Sequence, residues 1–173
     1  PPSFSGQAAT PLSTIPITGQ NSPMTIDDLV KAWRVNDALN REWLGICADA
    51  DFDLKPGKGK TIRSNFVHIV GVRRMWLEEK MPKAAAQVPK LDWKTAAREE
   101  IATGLELSHD LMAELFRKRE ERTRPDRWTT IGFFAYCVAH EAHHRSQIEI
   151  ALRLNGREPD DKVLYGLWDW TKK

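Results

Sequence analysis

The chain has 173 residues, of which 41% are hydrophobic and 29% charged. That is the balance of one soluble globular domain with a real core, not of a disordered or membrane-embedded chain. Its 26 Lys and Arg against 24 Asp and Glu leave a net charge of +2, with neither sign gathered into a block, so the sequence offers no nucleic-acid footprint. No apolar run is long enough to span a bilayer. The two cysteines, Cys47 and Cys137, fall on different predicted helices. No disulfide framework is implied, and the usage suits a reducing cytoplasm.

Pro1 to Pro23 is rich in Pro, Ser, Thr and Gly and lacks both the basic start and the apolar stretch of a secretory signal. It reads as a loose arm or leader, with the native chain expected to start at Met24 and the domain to cover 24–173. The first helix is predicted from Thr25, which supplies a hydroxyl cap followed by Asp27 and Asp28. Ile26, Leu29, Val30, Trp33, Trp43 and Leu44 mark its apolar face as far as Cys47.

A loop follows over 49–60, with Pro56, Gly57 and Gly59. The second helix is predicted from Thr61 to Lys80, with Ile62, Phe66, Ile69, Val72, Met75 and Trp76 inward, and Pro82 stops it. The connection from Met81 to Leu91 reaches about 35 Å if extended. That is long enough to traverse the domain and leave the second and third helices parallel. Asp92 is the expected cap of helix three, which runs to Arg122 with Ile101, Leu105, Met112, Leu115 and Phe116 inward; Gly104 weakens it without ending it. Arg124-Pro125-Asp126 breaks the chain. Helix four begins at Thr129 or Thr130 and ends at Asn155, with Gly156 as a left-handed cap. Four long amphipathic helices predict an all-α four-helix bundle. The tail beyond Pro159, with Leu164, Leu167, Trp168 and Trp170, is expected to fold back over one end of it.

Helix four carries three of the five histidines, His140, His143 and His144. At about 100° per residue, Phe133, Cys137, His140, His144, Ile148 and Ala151 lie within roughly 40° of one line, whereas His143 lies about 100° away. Two imidazoles on a core-facing stripe need partners, and a shared cation satisfies both. Ordinary histidines bonded to backbone or carboxylates are the alternative. A third ligand would come from a facing helix, where His68 is a better candidate than His109, about 70° from the centre of its stripe. Three neutral imidazoles leave coordination positions open for water or substrate.

Asn65-Phe-Val-His68, His140-Glu-Ala-His-His144-Arg-Ser-Gln147, Leu154-Asn-Gly156 and the closing Leu164-Tyr-Gly-Leu-Trp-Asp-Trp170 together resemble the DinB or YfiT-like superfamily of metal-binding four-helix bundles. The resemblance spans Met24 to Lys173, with Ser146 where the family usually has glycine. It implies an up-down-down-up bundle and a divalent ion on His68, His140 and His144, zinc or nickel first and iron or manganese next. It further implies a homodimer and a cytoplasmic enzyme acting on a small molecule, most plausibly a transferase that passes a low-molecular-weight thiol such as bacillithiol or mycothiol to small electrophiles. The alternatives are a metal-dependent hydrolase and a non-enzymatic metal or small-ligand binder.

His140-Glu141-Ala-His143-His144 also satisfies HExxH, the zinc-protease pattern in which the glutamate is general base. Gln147 and Ile150 break its extended form, Glu149 and Glu158 are too near in sequence to return on another helix, and no strand is predicted to hold a peptide. Glu141 lies about 40° from the ligand stripe. That places it as a catalytic candidate beside the ion, or as an ordinary partner of Arg145 one turn on. Cys137 is expected to be packed and inert, and Arg145 and Gln147 to be packing or surface groups.

Overall fold

A computed structural model describes residues 23–123 and 127–173; the predicted chain break at 124–126 and nearly all of the N-terminal arm lie outside them. Four long helices carry the fold: α1 (Ile26–Ile46), α2 (Ile62–Lys80), α4 (Arg98–Glu120) and α5 (Thr130–Leu154). Two short ones, α3 (Pro82–Ala85) and α6 (Asp161–Gly166), follow α2 and α5.

The helix starts obey capping chemistry. Thr25 and Asp28 cap one another reciprocally, with the Asp28 amide donating to Thr25 Oγ1 at 3.2 Å and the Thr25 amide to Asp28 Oδ2 at 3.0 Å. Thr61 and Thr129 accept from the amides of Ser64 and Gly132, each at 3.1 Å. At the far end of α5, Gly156 has φ of 69°, the left-handed residue expected after Asn155.

Cross-helix contacts define the topology. Arg117 near the end of α4 pairs with Asp27 at the start of α1 at 2.6 Å, and Arg98 at the start of α4 reaches Asp49 just beyond α1 at 2.7 Å. These two helices are therefore antiparallel. Arg63 Nη1 donates to Ala96 O at 2.6 Å and Arg73 Nη1 to Leu105 O at 3.2 Å, which runs α2 parallel to α4. Trp76 meets Phe133 with ring centroids 5.2 Å apart, while Asn65 meets His144, so α5 runs against α2. The direction pattern is up-down-down-up, and around the bundle the order is α1, α4, α2, α5. Between the helices lies a core that includes Trp33, Phe66, Ile69, Ile101, Leu105, Met112, Phe116, Phe133 and Ile148, each large side chain contributing about 1.5–3 kcal/mol by leaving water. Gly104 lets the parallel pair approach: a Cβ there would sit 2.9 Å from Val70 Cγ1.

Several local expectations need correction. The 81–91 connection is not simply extended. Pro82 starts α3 as a first-turn proline, Ala85 and Val88 are buried, and Arg74 pins the segment to α2 by donating to both of their carbonyls. Asp92 does not cap helix three; its Oδ1 closes a turn by accepting from the amides of Lys94 and Thr95, and α4 starts at Arg98 with Glu100 accepting from the Ala97 amide at 2.7 Å. Met75 points outward at 48% exposure, because the inward position on that turn of α2 belongs to Arg73. The tail docks along α1 and α5 rather than over an end: Leu167 is buried, Lys173 pairs with Glu42, and Tyr165 and Trp168 stay 76% exposed. Among the described residues no helix is long and apolar enough to cross a membrane.

Candidate metal centre

His68 on α2 and His140 and His144 on α5 converge between the two helices, with one ring nitrogen from each lying within 4.8 Å of the others. His144 is buried and the other two are half-buried, so one side of the cluster is open. His140 Nε2 and His144 Nε2 are 3.3 Å apart. Two imidazole nitrogens on one tetrahedral zinc at about 2.0–2.1 Å are separated by roughly 3.3–3.4 Å, so this pair already has the spacing of two ligands of one ion.

The tautomer of His144 follows from its neighbour. Asn65 Nδ2 donates to Thr61 O at 2.9 Å in the first turn of α2, which turns Asn65 Oδ1 toward His144 Nδ1 at 2.8 Å. An amide oxygen only accepts, so Nδ1 carries the hydrogen and Nε2 presents its lone pair to the cluster. Burial is the leading cause holding all three imidazoles below the ordinary histidine pKa, His144 at about 3. They are neutral near pH 7, the form that binds a cation. This donor set fits a divalent first-row ion, and the open side fits an exchangeable position.

A second polar assembly fixes how α5 is rotated. Glu141 is 2% exposed and accepts four hydrogen bonds: from Arg73 Nε at 2.7 Å and Nη2 at 2.9 Å, and from Asn36 and Asn40 Nδ2 at 2.6 Å each. Arg73 also reaches Asp37 at 2.8 Å and lies over the Trp33 ring at 4.7 Å. The guanidinium keeps the Glu141 carboxyl below its usual pKa in spite of burial. By gripping α5 from α1 and α2, this network sets the helix phase that turns His140 and His144 toward His68.

Glu141 accordingly makes no hydrogen bond to any of the three imidazoles, because its oxygens are committed to Arg73 and the two asparagines. The anticipated Glu141–Arg145 pair is not formed either; Arg145 is buried and donates to Asn40 Oδ1 at 2.7 Å. The protease-like reading loses its general base, and Glu149 and Glu158 both pair with Arg153. His143 is exposed, as its phase requires. His109 is packed elsewhere, stacked on Trp33 at 6.4 Å and facing Asp37 at 3.8 Å. Cys137 and Cys47 are buried, and burial pushes both thiols up, Cys47 to about 12.

Sequence reasoning named Asn65 only as part of the motif ending at His68, without a role, and missed Arg73, Asp37, Asn36 and Asn40. Their signal was present: Asn36, Asp37 and Asn40 follow Trp33 by three, four and seven residues, and Arg73 follows Ile69 by four, all on core-facing stripes.

A helical bundle with an up-down-down-up course and a three-histidine cluster in its α2–α5 groove defines a candidate metal-binding protein. The chain belongs to the DinB family, whose family model matches residues 21–170. No curated protein matches the chain in sequence.

Proposed function

We propose that this protein is a divalent-metal-dependent enzyme that transfers a low-molecular-weight thiol to small electrophiles, with zinc or nickel on His68, His140 and His144. The observation that carries the reading is the convergence of three neutral imidazoles on an open-sided cluster, with His144 locked by Asn65. A divalent cation held there lowers the pKa of a thiol and keeps it as the nucleophilic thiolate.

The chain's own residues supply the rest. Tyr136 stacks on His140 at 5.9 Å, with Trp128 and Trp76 against Tyr136 at 4.9 and 5.8 Å, an aromatic cluster that covers one face of the His140 ring. The buried cysteines with raised pKa values are poor nucleophiles, so the thiol comes from a co-substrate. In the transfer, the thiol proton goes to solvent, the sulfur forms a bond to the electrophilic carbon, and the leaving group departs with its electron pair. The half-buried His68 and His140 leave the cluster open to water as well, which makes metal-dependent hydrolysis the second reading.

Elemental analysis of protein purified without an affinity metal, followed by an electrophile assay with a panel of thiols with and without metal, tests this. Single replacements of His68, His140 or His144 by Ala are expected to abolish stoichiometric metal binding, while His143→Ala retains it. Equal loss in all four variants refutes the site. Metal binding without conjugation or hydrolysis above the metal-free rate leaves a non-enzymatic binder.

A further inference from the structure

Beside His68 the surface opens into a depression of about 510 Å³ lined by Lys60, Ser64, Val67, His68, Leu91 and Trp93 among others. It contains no carboxylate. The nearest buried acid on α5, Glu141, is already neutralised by the bidentate Arg73. Lys60 is exposed, just ahead of α2, and its ammonium has no hydrogen bond or ion pair among the described residues. Lys60 and His68 line the same depression, so the lysine's charge stands beside the centre.

A divalent ion on three neutral imidazoles leaves two positive charges uncompensated, and Lys60 adds a third on the same side. Charges of one sign around a partly dry cleft concentrate ligands of the other sign, so this side of the centre selects an anion. The same depression also has an apolar lining of Val67, Leu91 and the 56% exposed Trp93.

Building on the metal-thiol reading, we propose that Lys60 is a specificity-determining residue: the co-substrate is an anionic thiol, its carboxylate or equivalent group held by Lys60 in this depression and its apolar part against Val67, Leu91 and Trp93. A neutral thiol of the same size fills the space without using the lysine.

The test uses full-length protein loaded with cobalt(II), titrated with mercaptoacetate and with mercaptoethanol, at matched thiolate concentration and low salt. The sulfur-to-cobalt absorption band is the readout. Lys60→Ala is expected to weaken mercaptoacetate by about fivefold, the upper range for one exposed ion pair, and to leave mercaptoethanol unchanged; Lys60→Arg should preserve the wild-type ratio, and high salt should erase the lysine's effect. Any gain from the carboxylate chelating the ion persists in Lys60→Ala, so the difference between the proteins reports the lysine alone. Equal affinity ratios in wild type and Lys60→Ala overturn the assignment while leaving the metal centre intact. Failure to bind cobalt, or no band with either thiol, overturns both readings.

Discussion

Replacing Asn65 by Leu removes the acceptor that holds His144 while keeping the side-chain volume nearly constant. The structure assigns Asn65 Oδ1 a single role, the 2.8 Å contact with His144 Nδ1. Without it the ring samples its other tautomer, in which Nε2 carries the hydrogen and the lone pair points away from His140. Partners of this kind, which orient a ligand without touching the ion, typically carry 10- to 100-fold in metal affinity, or about 1.4–2.7 kcal/mol. The loss should fall well short of that from His144→Ala, which deletes the donor itself. Competition against a chromophoric chelator in zinc buffers at pH 7.5 measures it. Nitrogen-15 spectra of the metal-free protein provide an independent check, since wild type should show a protonated Nδ1 at His144. Because Asn65 Nδ2 also holds Thr61 O at 2.9 Å, thermal unfolding must be followed alongside. An affinity change below about threefold in a folded variant, or a wild-type His144 protonated at Nε2, would refute the assigned role.

Three further outcomes follow from the packing. Arg73→Met removes the guanidinium shared by the buried carboxylates of Glu141 and Asp37, leaving Glu141 with the two asparagine amides and Asp37 with the half-exposed Arg41, and should cost about 3–5 kcal/mol in urea unfolding; a loss under 1 kcal/mol would mean the network is better solvated than its burial indicates. The Glu141 carboxyl titrates below its ordinary value in the folded protein. Its stabilisation is therefore complete above the unfolded pKa near 4.5 and is lost as pH falls from there through the folded value. Urea midpoints should decline over that acid range in wild type and less steeply in Glu141→Gln, and identical slopes would contradict the shift. Gly104→Ala gains about 1 kcal/mol of helix propensity but drives a Cβ to 2.9 Å from the stiff Val70 side chain, an overpacking cost of about 1–3 kcal/mol. A net loss near 1 kcal/mol is expected from denaturation, against a gain for Gly71→Ala, where nothing lies within 4 Å.

Periodicity in the sequence located the four long helices and capping chemistry the starts of three of them, whereas the start of α4 was placed too early because Asp92 closes a turn instead. A hydroxyl before a carboxylate-rich first turn, a proline after the last turn, and a glycine past Asn155 act within a few residues, so Thr25, Thr61, Thr129 and Gly156 could be read without knowing the neighbours. The inward aim of His140 and His144 and the outward aim of His143 followed from the same 3.6-residue period. The choice of the third histidine depended on the neighbouring helix: His68 and His109 are both imidazoles near an apolar face, and the order of the helices, with α2 beside α5 and α4 across the bundle from it, brings one to α5 and leaves the other against Trp33. Glu141 shows the limit most clearly. Its helical angle placed it beside the ligands, but angle says nothing of what faces it, and the facing groups are Arg73, Asn36 and Asn40, from 68 to 105 residues away in sequence. Burial of that carboxylate is tolerable only with such partners. Local backbone energetics thus determined the elements and their faces, whereas pairing across helices, which depends on desolvated charges finding complements from distant segments, determined which polar side chains build the centre and which hold it in register.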